Sequence, residues 1–170
     1  MFDRTYKGHQ YVLDVLASHP ERAYQCFGFL PDAFVSLREL LVSRKHLRDT
    51  KNMLVAEQLG IFLWGVAHAH SYLQLCEFFQ HSLKTVSRYF NIVMCALVSF
   101  ADEFINLPLA EAECYPFVCS NVLFYPYFMN VVGAINGTHI PVVVNNNLQN
   151  PYCNHKGFTS QNVMAALSFD

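Results

Sequence analysis

Charged residues are spread so unevenly along this 170-residue chain that it divides into two parts of different character. One short stretch of the first half carries five basic residues: Arg38, Arg44, Lys45, Arg48 and Lys51. Farther along, no Lys or Arg stands between Arg88 and Lys156, and no Asp or Glu stands between Glu113 and Asp170. The chain therefore changes character near residue 115.

The overall composition is that of a folded protein. Hydrophobic residues make up 53% of the chain and charged residues 14%, which is too apolar for disorder and sufficient for one medium domain or two small ones. The net charge is −2 and the pI is near 6.4. This balance excludes a basic surface over the whole protein, so any binding to nucleic acid must come from a local patch.

Helical signals dominate the first 115 residues. His9 to Ser18 is a short amphipathic segment that Pro20 stops, and "LPDAFVSLRELLVSRK" places Pro31 in a first helical turn. The segment "VAEQLGIFLWGVAHA" is apolar on nearly every side, which predicts a helix buried among others. Residues 58–76 lack formal charge, but their His, Ser and Gln side chains are costly in lipid. A buried helix is therefore expected there and not a membrane span.

A helix-turn-helix is predicted within residues 56–105. A short helix around Tyr72 to Phe79 precedes a tight break at Gln80 and His81, and Ser82 is placed as the N-cap of a longer helix. That helix has an apolar face, and its opposite face carries Lys84, Ser87, Arg88 and Asn91. In a helix-turn-helix such residues enter the major groove. A plain helical hairpin with solvated charges is the alternative that periodicity leaves open.

Beyond Pro108 the pattern changes to period two with β-branched residues. Strands are predicted at "NVVGAI", "THIPVVV" and "QNVMAALSF", with a loop at "NNNLQNPYCNHKGF". By local rules the pair Asn136-Gly137 is a two-residue hairpin turn. The predicted fold class is α+β, with a helical domain at 1–115 and a second domain at 116–170.

The histidines and cysteines give weaker signals. His68 and His70 are expected to face different directions and to be packing residues. The six cysteines form no CxxC pair and are expected to be reduced thiols. A zinc site at Cys114, Cys119, Cys153 and His155 is an alternative, although the spacing of these residues matches no common zinc-binding motif.

Four blocks of the sequence, in this order, carry a family resemblance: "VAEQLGIFL", "FFQHSLKTVSRYF", "VVGAINGTHIPV" and "YCNHKGFTSQNVMAALSFD". They resemble the PIF/Harbinger-type DDE transposases and the nucleases derived from them. The resemblance implies a helical region with a helix-turn-helix, followed by the first strands of an RNase H-like nuclease domain. It also implies DNA as a partner, a nuclear location, and one long strand through Asn136 instead of a hairpin turn.

The chemistry that the resemblance implies is cleavage of DNA phosphodiesters by divalent ions, Mg²⁺ or Mn²⁺, held by acidic residues. The first acid of the family lies in a "GAIDGTHIP" strand, and this chain has Asn136 at that position. The remaining acids would lie beyond Asp170. We therefore expect the nuclease domain to be truncated and inactive, with Asn136 at most a poor metal ligand and Lys156 as a remaining phosphate contact.

An incomplete RNase H-like sheet would expose apolar faces and open edges. Residues 116–170 are therefore expected to be poorly folded alone or to pair with a second protein chain. Two functions other than that of a nuclease are also compatible with the sequence. One is a DNA-binding module in which Arg44, Lys45 and Arg48 contact the DNA backbone, and the other is a helical protein-interaction module without catalysis.

Overall fold

The computed structural model describes residues 8–106 and 114–167. The chain divides into two compact units, Met1–Phe104 and Ile105–Asp170, which are called the helical unit and the hairpin unit below. The distribution of charged residues predicts this boundary near residue 115. Helices in the first unit and an antiparallel strand pair in the second make the fold class α+β.

The described part of the helical unit contains seven helices: α1 (Gly8–Ala17), α2 (Pro20–Phe27), α3 (Pro31–Ser43), α4 (Val55–Ala67), α5 (Tyr72–Phe79), α6 (Leu83–Val98) and α7 (Ala101–Phe104). Pro20 does end the first amphipathic segment, but it also begins α2, which sequence reasoning missed. Proline is favoured at a first helical position because the N–H it lacks would have no partner there. His19 caps that helix by accepting a hydrogen bond from the Glu21 N–H.

Helix α4 is the centre of the helical unit, as its apolar sequence predicted. It packs against α1, α2, α3, α5 and α6. Leu59 and Ile61 are fully buried, and even the polar residues Glu57 and Gln58 are enclosed. Gly60 allows α1 to approach closely, because a Cβ atom there would lie 2.6 Å from a methyl carbon of Val12.

An aromatic cluster joins α1, α4 and α5. The rings of Trp64 and Phe78 stack at 4.6 Å, and the Tyr11 ring meets both edge-on. Burial raises the pKa of the Tyr11 phenol, and the hydrogen bond with Cys26 raises it further. Such packing fixes the position of α5, the first helix of the predicted helix-turn-helix.

The described part of the hairpin unit has one short helix, α8 (Pro116–Ser120), and two strands, β1 (Ala134–Pro141) and β2 (Ser160–Leu167). The strands pair antiparallel, with Asn136 opposite Ala165 and Gly137 opposite Met164. The predicted hairpin turn at Asn136-Gly137 is therefore wrong, and the single strand through both residues is confirmed. The connecting loop contains two short 3-10 turns, Asn146–Leu148 and Asn150–Tyr152.

None of the described helices is long and apolar enough to cross a membrane. The uncharged segment 58–76 is divided between α4 and α5, with a break at residues 68–71.

Candidate nucleic-acid interface

The break between α5 and α6 is three residues long and is specified locally. Ser71 begins α5 with a capping box, in which its hydroxyl accepts from the Gln74 N–H and the Gln74 side chain accepts from the Ser71 N–H. Gln80 ends the helix in the left-handed region at φ 60°, a position that usually favours glycine. Ser82 then begins α6 by accepting from the Thr85 N–H at 3.3 Å. The predicted bounds of α5 and the predicted N-cap are confirmed.

A hydrogen bond between two side chains fastens this break to α4. His81 Nε2 lies 2.8 Å from Glu57 Oε1, and Glu57 is only 3% exposed. Gly8 packs so closely over the pair that a Cβ atom there would lie 2.4 Å from the carboxylate. A cavity of about 520 Å³ adjoins the break and has both of these side chains in its wall. Sequence reasoning missed this contact. Glu57 is the one acidic residue of an otherwise apolar helix, and a buried acid of this kind needs a polar partner.

Helix α6 has a buried apolar side and an accessible polar side as predicted, although Leu83, Met94 and Val98 of the same helix are exposed. Val86 and Val93 are fully buried, whereas Lys84, Arg88 and Asn91 are exposed and Ser87 is half-buried. These four polar residues therefore lie on one accessible side of the helix, starting one residue after it begins.

Two of the four polar side chains on α6 have partners on the helix itself. The Asn91 amide donates to the Ser87 carbonyl oxygen at 2.7 Å, which fixes its orientation. The Arg88 guanidinium lies 5.9 Å from the centre of the Tyr89 ring, and the Tyr89 hydroxyl is hydrogen bonded to that of Thr50.

The basic residues Arg44, Lys45 and Arg48 are less available for contacts with DNA than the sequence implied. Arg44 pairs with Glu103 and stacks over the Phe100 ring at 5.0 Å. The pair raises the pKa of the Arg44 guanidinium and lowers the pKa of the Glu103 carboxyl. Lys45, in the left-handed region at φ 59°, and Arg48 are both exposed. Of the three residues expected on the DNA backbone, Arg44 would first have to leave its acidic partner.

The remaining predicted site residues belong to the hairpin unit. Asn136 is exposed on β1, and its side-chain oxygen accepts from the Gly137 N–H at 2.8 Å. Lys156 is exposed in the connecting loop, where its N–H donates to the Asn154 side chain. The structure thus brings together the four residues of α6, while Asn136 and Lys156 lie in the other unit.

The residues near Asn136 do not fit the Mg²⁺ or Mn²⁺ site that the family resemblance implies. Such ions need several charged oxygen ligands, and the hairpin unit has no Asp or Glu between Glu113 and Asp170. Asp170 lies outside the described residues. Among residues 8–106 and 114–167, no group of three or more His, Cys, Asp or Glu side chains could hold a metal ion.

The expectation that all six cysteines are reduced is wrong, because Cys114 and Cys119 form a disulfide, which also removes them from the zinc site named above. The short helix α8 brings the Cα atoms of these two residues to 6.2 Å, within reach of a disulfide. The other four cysteines are free thiols, as expected. The expectation about the two neighbouring histidines is wrong as well. His68 and His70 do not face different directions, because Ala69 takes a left-handed conformation at φ 51° and their rings stack at 5.5 Å.

A comparison with protein families finds one described as "Domain of unknown function (DUF8040)", which matches residues 3–99. The match contains α1 to α6 and thus the whole candidate interface. No curated protein and no solved structure matches the chain. Since the family match covers more than half of the chain, the protein belongs to the DUF8040 family.

Proposed function

We propose that the helical unit is a DNA-binding module in which α5 and α6 act as a helix-turn-helix. Helix α6 would lie in the major groove and contact DNA through Lys84, Ser87, Arg88 and Asn91. The observation that carries the proposal is the exposed polar side of α6, which starts directly after a capped, three-residue break. This is the layout in which a recognition helix presents its first turns to base edges.

The interior of the helical unit supports the same proposal. A recognition helix must be held rigidly by the rest of its domain, and α6 packs against both α4 and α5. Val86 and Val93 of α6 are fully buried, and the hydrogen bond between Glu57 and His81 fastens the residues before α6 to α4. Few cations are available, so affinity for duplex DNA should be modest and should fall steeply as salt is added.

Fluorescence anisotropy with a labelled duplex at low salt tests the proposal. The variant Lys84→Ala/Arg88→Ala should bind at least about tenfold more weakly, since one well-placed side chain contributes about 1–3 kcal/mol. The control variant Arg22→Ala/Lys51→Ala removes the same charge from exposed positions outside α6 and should bind nearly as well as the original chain. Equal losses in the two variants would show that only net charge matters and would reject the proposed interface.

We further infer that the chain derives from a Harbinger-type transposase, with a nuclear location, and that its nuclease domain is inactive. The proposal is supported by the four sequence blocks and by the strand that carries Asn136. An amide in place of a carboxylate provides no negative charge for a divalent ion. Purified chain should therefore leave duplex DNA uncut in Mg²⁺ or Mn²⁺. Metal-dependent cutting by the original chain would overturn this inference.

The alternative is a protein-interaction module, and one observation favours it for the hairpin unit. Every residue of β1 is exposed, and in β2 only Ser160 is buried. A second protein chain that covers this sheet would protect the amide hydrogens and side chains of β1. Rapid proteolysis within residues 121–167 of the purified chain, with residues 8–104 left intact, would support the need for such a partner. Equal resistance of the two units would count against it.

A further inference from the structure

Asn136 and Gly137 are the one Asn-Gly pair of the sequence, and the backbone N–H between them faces away from β2. The Val142 N–H donates to the Thr159 carbonyl oxygen, in line with the register of the strand pair. Residues of an antiparallel strand alternate between bonding the neighbouring strand and facing away from it. Counted back from Val142, Gly137 is at a position whose N–H faces away. Among the described residues, the sheet has no third strand to bond it.

The Gly137 N–H is turned to the side chain that precedes it. It donates to Asn136 Oδ1 at 2.8 Å. Since Oδ1 is bonded to Cγ, this contact holds the Gly137 nitrogen beside the Cγ atom of the carboxamide, and two atoms that can react are close together. Both residues are exposed, so water reaches them. A Cβ atom at Gly137 would meet nothing nearer than 3.7 Å, so no neighbour hinders movement there.

This arrangement allows a reaction that needs only water. The Gly137 nitrogen attacks Cγ of Asn136, a five-membered succinimide ring forms, and the carboxamide nitrogen leaves as ammonia with the proton of the Gly137 nitrogen. Water then opens the ring at either of its two carbonyl groups and gives aspartate or isoaspartate. One water is consumed and one ammonia is released. Glycine is the most favourable residue after the asparagine because it has no side chain to hinder the attack.

Two other asparagines of the hairpin unit lack these conditions. Asn162 lies on β2 and is also exposed, but Val163 follows it, and a β-branched side chain hinders the attack. Asn154 is held at both ends of its carboxamide. Its nitrogen donates to the Ser160 hydroxyl, and its oxygen accepts from two backbone N–H groups of the connecting loop. Both residues therefore serve as references within the same chain.

We propose that Asn136 is a site of spontaneous deamidation, which introduces a carboxylate into β1. The new charge falls in a stretch where no Asp or Glu stands between Glu113 and Asp170. The aspartate product has the acid that the family resemblance expects at this position. The isoaspartate product adds a methylene group to the backbone and disturbs the pairing with β2. The proposal depends neither on DNA binding by the helical unit nor on the origin of the chain.

Peptide mapping by mass spectrometry of the purified full chain tests the proposal. The chain is kept at neutral pH and body temperature, sampled over several weeks and digested with pepsin, because trypsin has no site between Arg88 and Lys156. The peptide with Asn136 should gain about 1 Da, or about 3 Da after incubation in water labelled with oxygen-18, and should separate into two products. Conversion at Asn136 should be at least about tenfold faster than at Asn154 and Asn162.

Gly137→Ala is the matched variant, because its added Cβ atom makes only ordinary contacts. It should slow the conversion of Asn136 at least about tenfold and leave Asn162 unchanged. Equal conversion of Asn136 in this variant and in the original chain, or conversion no faster than at Asn162, would overturn the proposal. Incubation in guanidinium chloride gives the rate of the unfolded chain, of which the folded chain should keep at least about a tenth. Complete protection of Asn136 in the folded chain would also overturn the proposal.

Discussion

The two units of this protein differ in how completely their apolar residues are covered. In the helical unit, α4 is enclosed by five other helices, and residues such as Leu59 and Phe34 are fully buried. In the hairpin unit, two strands pair with each other, and apolar side chains such as Ile135 and Met164 stay more than 70% exposed. A helix bundle can enclose a hydrophobic core with its own helices, whereas a two-stranded sheet needs a further layer of structure to cover its apolar side chains. Stability should therefore reside in the helical unit.

The largest expected effect comes from the centre of that bundle. Leu59→Ala should lower the free energy of unfolding by about 2–5 kcal/mol, because it removes a fully buried side chain and leaves a cavity. Ile135→Ala, a change on the exposed hairpin, should alter it by no more than about 0.5 kcal/mol. Denaturant unfolding followed by circular dichroism measures both. Similar losses in the two variants would contradict the difference between the units.

A loss of about 2 kcal/mol is expected for His81→Ala, because the buried Glu57 side chain would lose its hydrogen-bond partner. The double variant Glu57→Leu/His81→Leu removes both polar side chains and should recover much of that loss. Denaturant titrations of the single and double variants check this. If the double variant were as unstable as His81→Ala, the hydrogen bond between Glu57 and His81 would not be what fastens the break to α4.

The N-cap of α6 should have an effect of about 1 kcal/mol. Ser82→Ala removes the acceptor for the Thr85 N–H, whereas Ser82→Thr keeps an oxygen in that place. Thermal unfolding should show a lower midpoint for the alanine variant and near-recovery for the threonine variant. Equal midpoints in all three proteins would show that packing alone sets the start of α6.

The smallest effect should come from the exposed pair of Arg44 and Glu103. Arg44 lowers the pKa of the Glu103 carboxyl in the folded protein. The pair therefore stabilises the fold at pH values above the ordinary pKa of a glutamate in the unfolded chain. This contribution disappears as the pH falls through the lowered pKa of Glu103 in the folded protein. An NMR titration should show the Glu103 pKa rising in Arg44→Ala. An unchanged Glu103 pKa would show that the contact is not kept in solution.

Local signals made much of the helical unit predictable. The bounds of α5, the cap at Ser82 and the burial of α4 follow from spacing and capping rules that act over a few residues. The continuous strand through Asn136 came from the family resemblance, because local rules alone favoured a turn.

The features that sequence reasoning missed depend on contacts between distant residues or on unusual backbone. Glu57 and His81 are 24 residues apart, and nothing local pairs them. His68 and His70 come together because Ala69 adopts a left-handed conformation that a residue with a Cβ rarely takes. The His139 ring on β1 contacts the His155 ring of the connecting loop through a strand that local rules would end in a turn at Asn136-Gly137.

The central claim is that α6 of the helical unit binds DNA, and the salt dependence of binding tests it most directly. Anisotropy titrations at several salt concentrations give the slope of log affinity against log salt, to which each cation on a phosphate contributes about −0.9. The slope of Lys84→Ala/Arg88→Ala should be shallower than that of the original chain by about 1 to 2, while the slope of Arg22→Ala/Lys51→Ala stays unchanged. Identical slopes and affinities in all three proteins would contradict the claim.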